Sequence, residues 1–286
     1  MIQGIHLSAG FNKRAAPFRN RMNGVDWQDD MTKQDHDLHQ PRITKAGSTA
    51  IPDYLSRVYW WAYVHPNAVR IFERQWLVNL ILFGNFSRLR DSALDALGSE
   101  INGSTLQIAC VYGDFTPRLQ RRLAPDARLD VVDVLPIQLE NLDRKLENRE
   151  QVRLLCSNSE NLSIASSDSY KQVILFFLLH EQPNHTRQAT IREALRVLEP
   201  GGKLVVVDYH KPHAWNPLRY LMRPLLAWLE PYALALWKRE LSELVPEKDG
   251  AYNISKRTFF GGLYQQVVFS SPRQSEPGLS VSPGQS

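Results

Sequence analysis

An α/β fold with a mostly parallel sheet is predicted by two features of the sequence. From residue 104 onward, short apolar runs alternate with helical stretches through short connections, the pattern of strand–helix–strand units whose helices cover both faces of a sheet. The first run also turns through Gly113 into a helical stretch, and sheets of this kind hold ligands at the carboxyl ends of their first strands. In order, 106–111 reads as a strand, 117–123 as a helix, 129–134 as a strand and 137–146 as a helix. Strands follow at 152–156, 173–177 and 204–207, a helix at 190–198, and a late strand at 263–269. Upstream, 54–84 places aromatic and aliphatic residues at helical spacing, and the break at His65-Pro66 predicts two helices, because a residue before proline avoids helical backbone angles. A short helix over 92–97 ends at Gly98. The chain divides into a disordered polar arm (1–48), a helical cap (49–103), a sheet domain (104–269) with a helical insertion at about 210–240, and a disordered Ser/Pro/Gly/Gln tail (270–286).

Composition excludes several function classes. The 286 residues, 43% of them hydrophobic, suffice for a substantial core. Against 30 Asp+Glu, 34 Lys+Arg leave a net charge of +4, too little for a nucleic-acid partner unless the cations cluster. Cys110 and Cys156 both sit in apolar runs, so neither a disulfide framework nor a cysteine zinc site is expected, and a reducing, cytoplasmic setting fits. No secretory signal is expected, and no uncharged run reaches the roughly 20 residues that span a bilayer. The 7 Trp and 10 Tyr leave contact with a membrane surface open.

The chemistry-bearing residues follow the strands. The first strand and its turn read Leu106-Gln107-Ile108-Ala109-Cys110-Val111-Tyr112-Gly113-Asp114-Phe115-Thr116. Asp133 ends the second strand, Ser157-Asn158-Ser159-Glu160-Asn161-Leu162 follows the third, and Arg196-Val197-Leu198-Glu199-Pro200-Gly201-Gly202-Lys203-Leu204 precedes the fifth. These four motifs, in this order, resemble the class I S-adenosylmethionine (SAM)-dependent methyltransferases, especially those acting on quinones. The resemblance implies a Rossmann-like fold with a seven-stranded sheet, and SAM contacts at Gln107, Ala109, Val111, Tyr112, Gly113, Asp133, Val134, Asn158 and Ser159. In it, the Asp133 carboxylate holds the ribose hydroxyls and Asn158 replaces the acid near the adenine. Two departures stand out. Val111 replaces a glycine and Tyr112 follows it, adding bulk where the amino-acid part of SAM lies. Gln107 stands where that family carries the carboxylate that helps bind the SAM ammonium group.

A closer resemblance covers about 51–269. The turn at 111–116, the segment Tyr54-Leu55-x-x-x-Tyr59-Trp60-Trp61-Ala62-Tyr63 and the segment Asp208-Tyr209-His210-Lys211-Pro212-His213 together resemble the rhodoquinone-biosynthesis (RquA) family. This implies that a methoxy group of ubiquinone is replaced by an amine, with SAM as amino donor and Mn(II) as metal. The residues suit that chemistry: the amine must lose its proton before attacking a ring carbon, and replacing an acid by Gln107 removes one stabiliser of the charged form. His180, directly after the fourth strand and beside Glu181, is the first choice as acid–base group. Asp114, Tyr112 and Asp208 are the other catalytic candidates, and Asp114, His180 and Asp208 are candidate Mn(II) ligands. Tyr54, Tyr59, Trp60, Tyr63 and His210 are candidate walls for the quinone. Between His210 and Glu240 there are five cations (Lys211, Arg219, Arg223, Lys238, Arg239), two acids (Glu230, Glu240) and two interrupting prolines, Pro224 and Pro231. That segment is expected to lie in a membrane interface with Trp215, Trp228 and Trp237 at headgroup depth, peripherally on the inner membrane, or to cap the active site. Two rival readings are a SAM-dependent methyltransferase of a quinone precursor and a non-catalytic SAM-fold scaffold.

Overall fold

A computed structural model describes residues 43–45, 51–58, 72–245 and 252–272, all in the unit that begins at Pro41. Eight strands form one sheet: β1 (Ile43–Lys45), β2 (Ser104–Ile108), β3 (Arg128–Asp133), β4 (Val152–Cys156), β5 (Tyr170–Phe176), β6 (Leu198–Tyr209), β7 (Asn253–Phe259) and β8 (Tyr264–Ser270). Their order is β1-β4-β3-β2-β5-β6-β8-β7. β8 runs antiparallel to β6 and β7, and every other pairing is parallel. The predicted mostly parallel α/β fold therefore holds. β3 and β5 flank β2 on opposite sides, so the strand order reverses there, and a crevice opens beyond its carboxyl end.

Helices α1 (Asp53–Val58), α2 (Gln75–Ile81) and α3 (Phe86–Leu97) precede β2. Within the sheet region come α4 (Phe115–Gln120), α5 (Pro136–Asp143), α6 (Asn184–Arg196), α7 (Leu218–Leu229) and α8 (Ala233–Leu236), with 3₁₀ turns at Leu179–Glu181 and Leu241–Leu244. Both faces of the sheet are covered, which is why its central strands read as continuous apolar runs. Ile174 and Phe176 of β5 enter one core cluster, while Val173 and Leu175 enter the other, the two-residue alternation of a strand. The helix expected over 92–97 starts earlier, because Phe86, Leu89, Ala93 and Leu97 already share one buried face.

Three expectations change. The sheet has eight strands rather than seven, because β1 comes from the arm expected to be disordered. Ile43 and Thr44 extend the free edge of β4 opposite Leu154 and Leu155, and three residues are too few to show periodicity. The rest of that arm and residues 273–286 lie outside the described residues. β7 is absent from the strands read in the sequence because it is an edge strand with six of its seven residues exposed; Lys256 and Arg257 sit along it, charges that blunt an open edge. Trp237, expected at headgroup depth, packs partly buried against the core.

Candidate functional site

The carboxyl ends of the central strands open into a cavity of about 500 Å³. Residues 109–112 after β2, 133–135 after β3, 157–159 after β4, and 177–178 and 180–182 after β5 line it, with Tyr209 at the end of β6. An apolar wall comes from α2 and α7.

The turn after β2 is held from within. Gln107 is fully buried; its amide donates to the Ala109 carbonyl at 2.9 Å and accepts from the Thr116 hydroxyl at 3.0 Å. A carboxylate could accept the second bond but not donate the first, so here the side chain supports the turn. The expected direct contact of Gln107 with SAM is corrected accordingly: its side chain does not line the cavity. Ala109 takes a left-handed backbone with φ 72°, and Gly113 does so with φ 81°. A Cβ at Gly113 would stand 3.0 Å from Gln75 Oε1 and 3.2 Å from the Phe86 ring, so this position requires glycine. Ala109 carries the left-handed penalty of an L-residue. Ala109→Gly is expected to raise the unfolding free energy by about 0.5–1 kcal/mol, read from the urea midpoint.

The cap closes over the same turn. The Gly113 N–H donates to Glu73 Oε1 at 3.2 Å, and Glu73 also accepts from Asn141 Nδ2 and Lys145 Nζ at 2.7 Å each. Lys145 Nζ donates to the Gly113 carbonyl at 3.0 Å as well. Phe72 stacks on Tyr112 with ring centroids 6.0 Å apart, and Gln138 donates to the Tyr112 hydroxyl at 2.8 Å. Burial pushes the Tyr112 phenol above its ordinary range. Tyr112 and Val111 thus line the cavity from a clamped loop. Sequence reasoning missed Glu73 and Lys145, because their contacts join residues 32 to 72 positions apart.

Beside this turn, Asp133 Oδ2 accepts from the Cys110 N–H and Oδ1 from the Leu135 N–H, both at 2.8 Å. These donors aim the carboxylate at the cavity rim, while burial raises its pKa. Val134, Asn158 and Ser159 line the same end. Ser157, which also lines that end, has its Oγ buried without a hydrogen-bond partner among the described residues. An acid at the end of β3 and polar groups after β4 fit a nucleoside such as that of SAM.

At the other end stands His180, 5% exposed. Asp208 is fully buried and accepts from the backbone N–H groups of Leu179 (2.8 Å), His180 (3.3 Å) and Tyr209 (2.7 Å). Its Oδ1 lies 2.9 Å from His180 Nδ1; paired with a carboxylate, Nδ1 is the donor. The other ring nitrogen, Nε2, is 3.7 Å from Glu181 Oε1, and Phe177 and Tyr209 meet the ring edge-on. Burial by itself would lower the His180 pKa, but the charge and hydrogen bond of Asp208, with Glu230 and Glu181 beyond, raise it from 6.5 to about 9. These carboxylates favour the protonated form of the imidazole, which stands at the cavity wall.

Several predicted residues stand elsewhere. Asp114 precedes α4 and does not line the cavity. Arg90 Nη1 donates to both its oxygens at 2.7 and 2.9 Å, and Arg118 Nε donates at 2.6 Å. Burial opposes ionisation of this carboxyl, yet Arg118 and Arg90 hold it below the ordinary range. Its carboxylate is held in an ion cluster with Arg90 and Arg118, away from the cavity. Asp208, expected as a catalytic group, does not reach the cavity and orients His180 instead. His210 also lies off the cavity; its Nδ1 donates to the Gly262 carbonyl at 2.8 Å and its Nε2 accepts from Lys256 at 3.0 Å. Tyr54 lines the cavity, whereas Tyr59, Trp60 and Tyr63 lie outside the described residues. The three expected Mn(II) ligands do not come together, and no group of three His, Cys, Asp or Glu able to hold a metal occurs among the described residues.

Comparison with known proteins agrees with this geometry. A family model described as a methyltransferase domain matches residues 105–202. The demethylmenaquinone methyltransferase of Staphylococcus aureus (strain JH9) is 23% identical over 217 residues, which are 70% of this chain and 88% of that protein. Among solved structures, Haemonchus contortus phosphoethanolamine N-methyltransferase 2 with S-adenosyl-L-methionine superposes with TM-score 0.55 at 14% identity, over 80% of this chain and 61% of that longer one. The N-methyltransferase NodS of Bradyrhizobium japonicum WM9 with S-adenosyl-L-homocysteine gives 0.50 at 15% identity, over 72% and 98%. The strand order, the acid after β3 and the matched domain converge on one conclusion: this chain has the Rossmann-like fold of the SAM-dependent methyltransferases.

Proposed function

We propose that the protein aminates a quinone, converting ubiquinone to rhodoquinone at the cytoplasmic face of the inner membrane. The observation that carries this reading is a buried His180 paired with Asp208, in an apolar cavity whose turn after β2 has Gln107 in place of an acid. SAM, when bound, would supply the amino nitrogen: its bond to the ring carbon would displace the methoxy group as methanol, and elimination across the α- and β-carbons of SAM would break the old nitrogen–carbon bond and release the remainder as an unsaturated acid. In this reading Asp133 accepts from the ribose hydroxyls and Asn158 meets the base; both line the cavity. With Gln107 engaged by Ala109 and Thr116, no carboxylate at this strand position holds the amine as an ammonium ion, so its neutral, nucleophilic form is more accessible. His180 Nε2 donates a proton or hydrogen bond to the quinone oxygen that gains charge during substitution, and Asp208 keeps it charged for that task. Tyr54, Phe177 and Tyr209 wall the ring. Mn(II), which the RquA resemblance implies, finds no fitting ligand set among the described residues, and no step is routed through it.

The similarity to a demethylmenaquinone methyltransferase favours a second reading, methyl transfer to a quinone precursor. One experiment separates the two: the protein is incubated with ubiquinone, Mn(II) and SAM carrying heavy nitrogen in its amino group, and the quinone is weighed. Amination gives a lighter product containing the label; a product heavier by a methyl group, or an unlabelled one, overturns it. Absence of a thermal shift with SAM would leave only the scaffold reading.

A further inference from the structure

Two helices at the cavity mouth bury almost nothing. α2, with sequence QWLVNLI, has no buried residue, and in the 12-residue α7 only Met222 and Leu226 are buried. Their inner sides line the cavity through Val78 and Leu226 among others. Their outer sides expose Trp76 (61%), Leu80 (65%), Leu221 (56%) and Trp228 (81%). Ile81 and Leu225 do both, lining the cavity while 43% and 36% exposed. An apolar rim of this size on a folded chain marks a contact surface.

The charges around it decide the occupant. Within 74–81 and 218–229 the only charged residues are Arg74, Arg219 and Arg223. The adjacent Glu73 is engaged by Lys145, and Glu230, at the end of α7, lines the cavity. A two-fold contact with a second copy through this rim would bring three cations against their own images with no acid on either helix to offset them. An anionic lipid surface answers the cations, and its headgroup layer favours Trp and Tyr, here Trp76, Trp228 and the exposed Tyr220. α7, about 18 Å long at 1.5 Å per residue, is too short to cross a hydrocarbon core of about 30 Å, and no helix among the described residues is long and apolar enough to span a membrane. A helix of this kind lies in the interface plane.

We infer that α2 and α7 together form a lateral portal seated in the headgroup layer of an anionic bilayer, and that a lipid-tailed quinone enters the cavity between Ile81 and Leu225. The docking follows from the rim itself; only the tailed substrate rests on the reading of function above. It adds α2 to the 210–240 segment.

The test is flotation of the full-length protein with vesicles of phosphatidylcholine alone or mixed with phosphatidylglycerol. Wild type is expected to float with the mixed vesicles and to bind pure phosphatidylcholine about a hundredfold more weakly, since each of three cations contributes a factor of about five on an anionic surface. The double variant Trp76→Glu/Trp228→Glu is expected to bind mixed vesicles at least about tenfold more weakly while keeping its SAM-induced thermal shift, which shows that it is folded. Should that variant fold poorly, quenching of wild-type tryptophan fluorescence by lipids brominated high on the acyl chain gives the same answer. Wild type that stays with neither vesicle, a variant that floats as well as wild type, or wild-type dimers that the variant dissociates would overturn the proposal. Flotation needs no turnover, so a failed amination assay leaves this result intact, and the converse also holds.

Discussion

Replacing His180 by glutamine is expected to lower turnover by about 10²- to 10⁴-fold, the range for losing a positioned acid, with little change in the SAM-induced thermal shift. The pH dependence is the sharper readout. In the wild type the His180 pKa is raised from 6.5 to about 9, so the protonated form persists through neutrality and turnover falls as pH rises through about 9. In Asp208→Asn the main carboxylate is gone, burial then dominates, and the alkaline limb moves down by at least one pH unit, with a fall in kcat rather than a rise in KM. The same linkage acts on the fold. A histidine whose pKa is raised on folding adds stability that is fully present below about pH 6.5 and is lost as pH climbs to about 9. Urea midpoints of wild type and His180→Gln should therefore differ most in acid and converge above pH 9. An unchanged alkaline limb in Asp208→Asn would refute the orienting role of that carboxylate.

Truncating Arg187 to alanine is expected to cost about 3–5 kcal/mol of stability, seen as a fall of about 10 °C in Tm. This guanidinium is 1% exposed. Its Nε donates to the Leu179 carbonyl at 2.9 Å, and its Nη2 donates to the carbonyls of Gln182 at 2.9 Å and Tyr232 at 3.2 Å. Those acceptors lie on the turn that carries His180 and on the segment between α7 and α8, so one side chain ties these two pieces together. The variant leaves buried acceptors without donors and opens a void where the side chain stood. Arg187→Lys keeps the charge without the planar fork and should recover only part of the loss. A shift of under about 2 °C for the alanine variant would show that Arg187 does not bind these pieces together.

Arg187 was invisible in the sequence for a reason that applies widely. It sits in an unremarkable polar helix, and its importance comes from three carbonyls on two separate segments. The motif residues, by contrast, were legible because each sits at a strand end. Asp133, Asn158, Ser159 and His180 all reach the cavity, since strand periodicity fixes where a strand stops and the parallel topology puts every stop at one edge. Asp114 shares that position in the sequence yet misses the cavity, because Arg90, 24 residues upstream, and Arg118 take its carboxylate.

By itself, then, the sequence determined the mostly parallel sheet, the edge at which the cavity lies and the absence of an acid at residue 107. These follow from periodicity and from residue identity, which are local properties. Only the tertiary structure decided that Gln107 supports its turn, that Asp208 serves His180 rather than a metal, that Glu73 clamps the cap over Gly113, and that α2 joins α7 at the cavity mouth. Each of those depends on which distant group arrives within hydrogen-bond or van der Waals reach and on how much water leaves with it, and neither quantity is written in the spacing of residues along the chain.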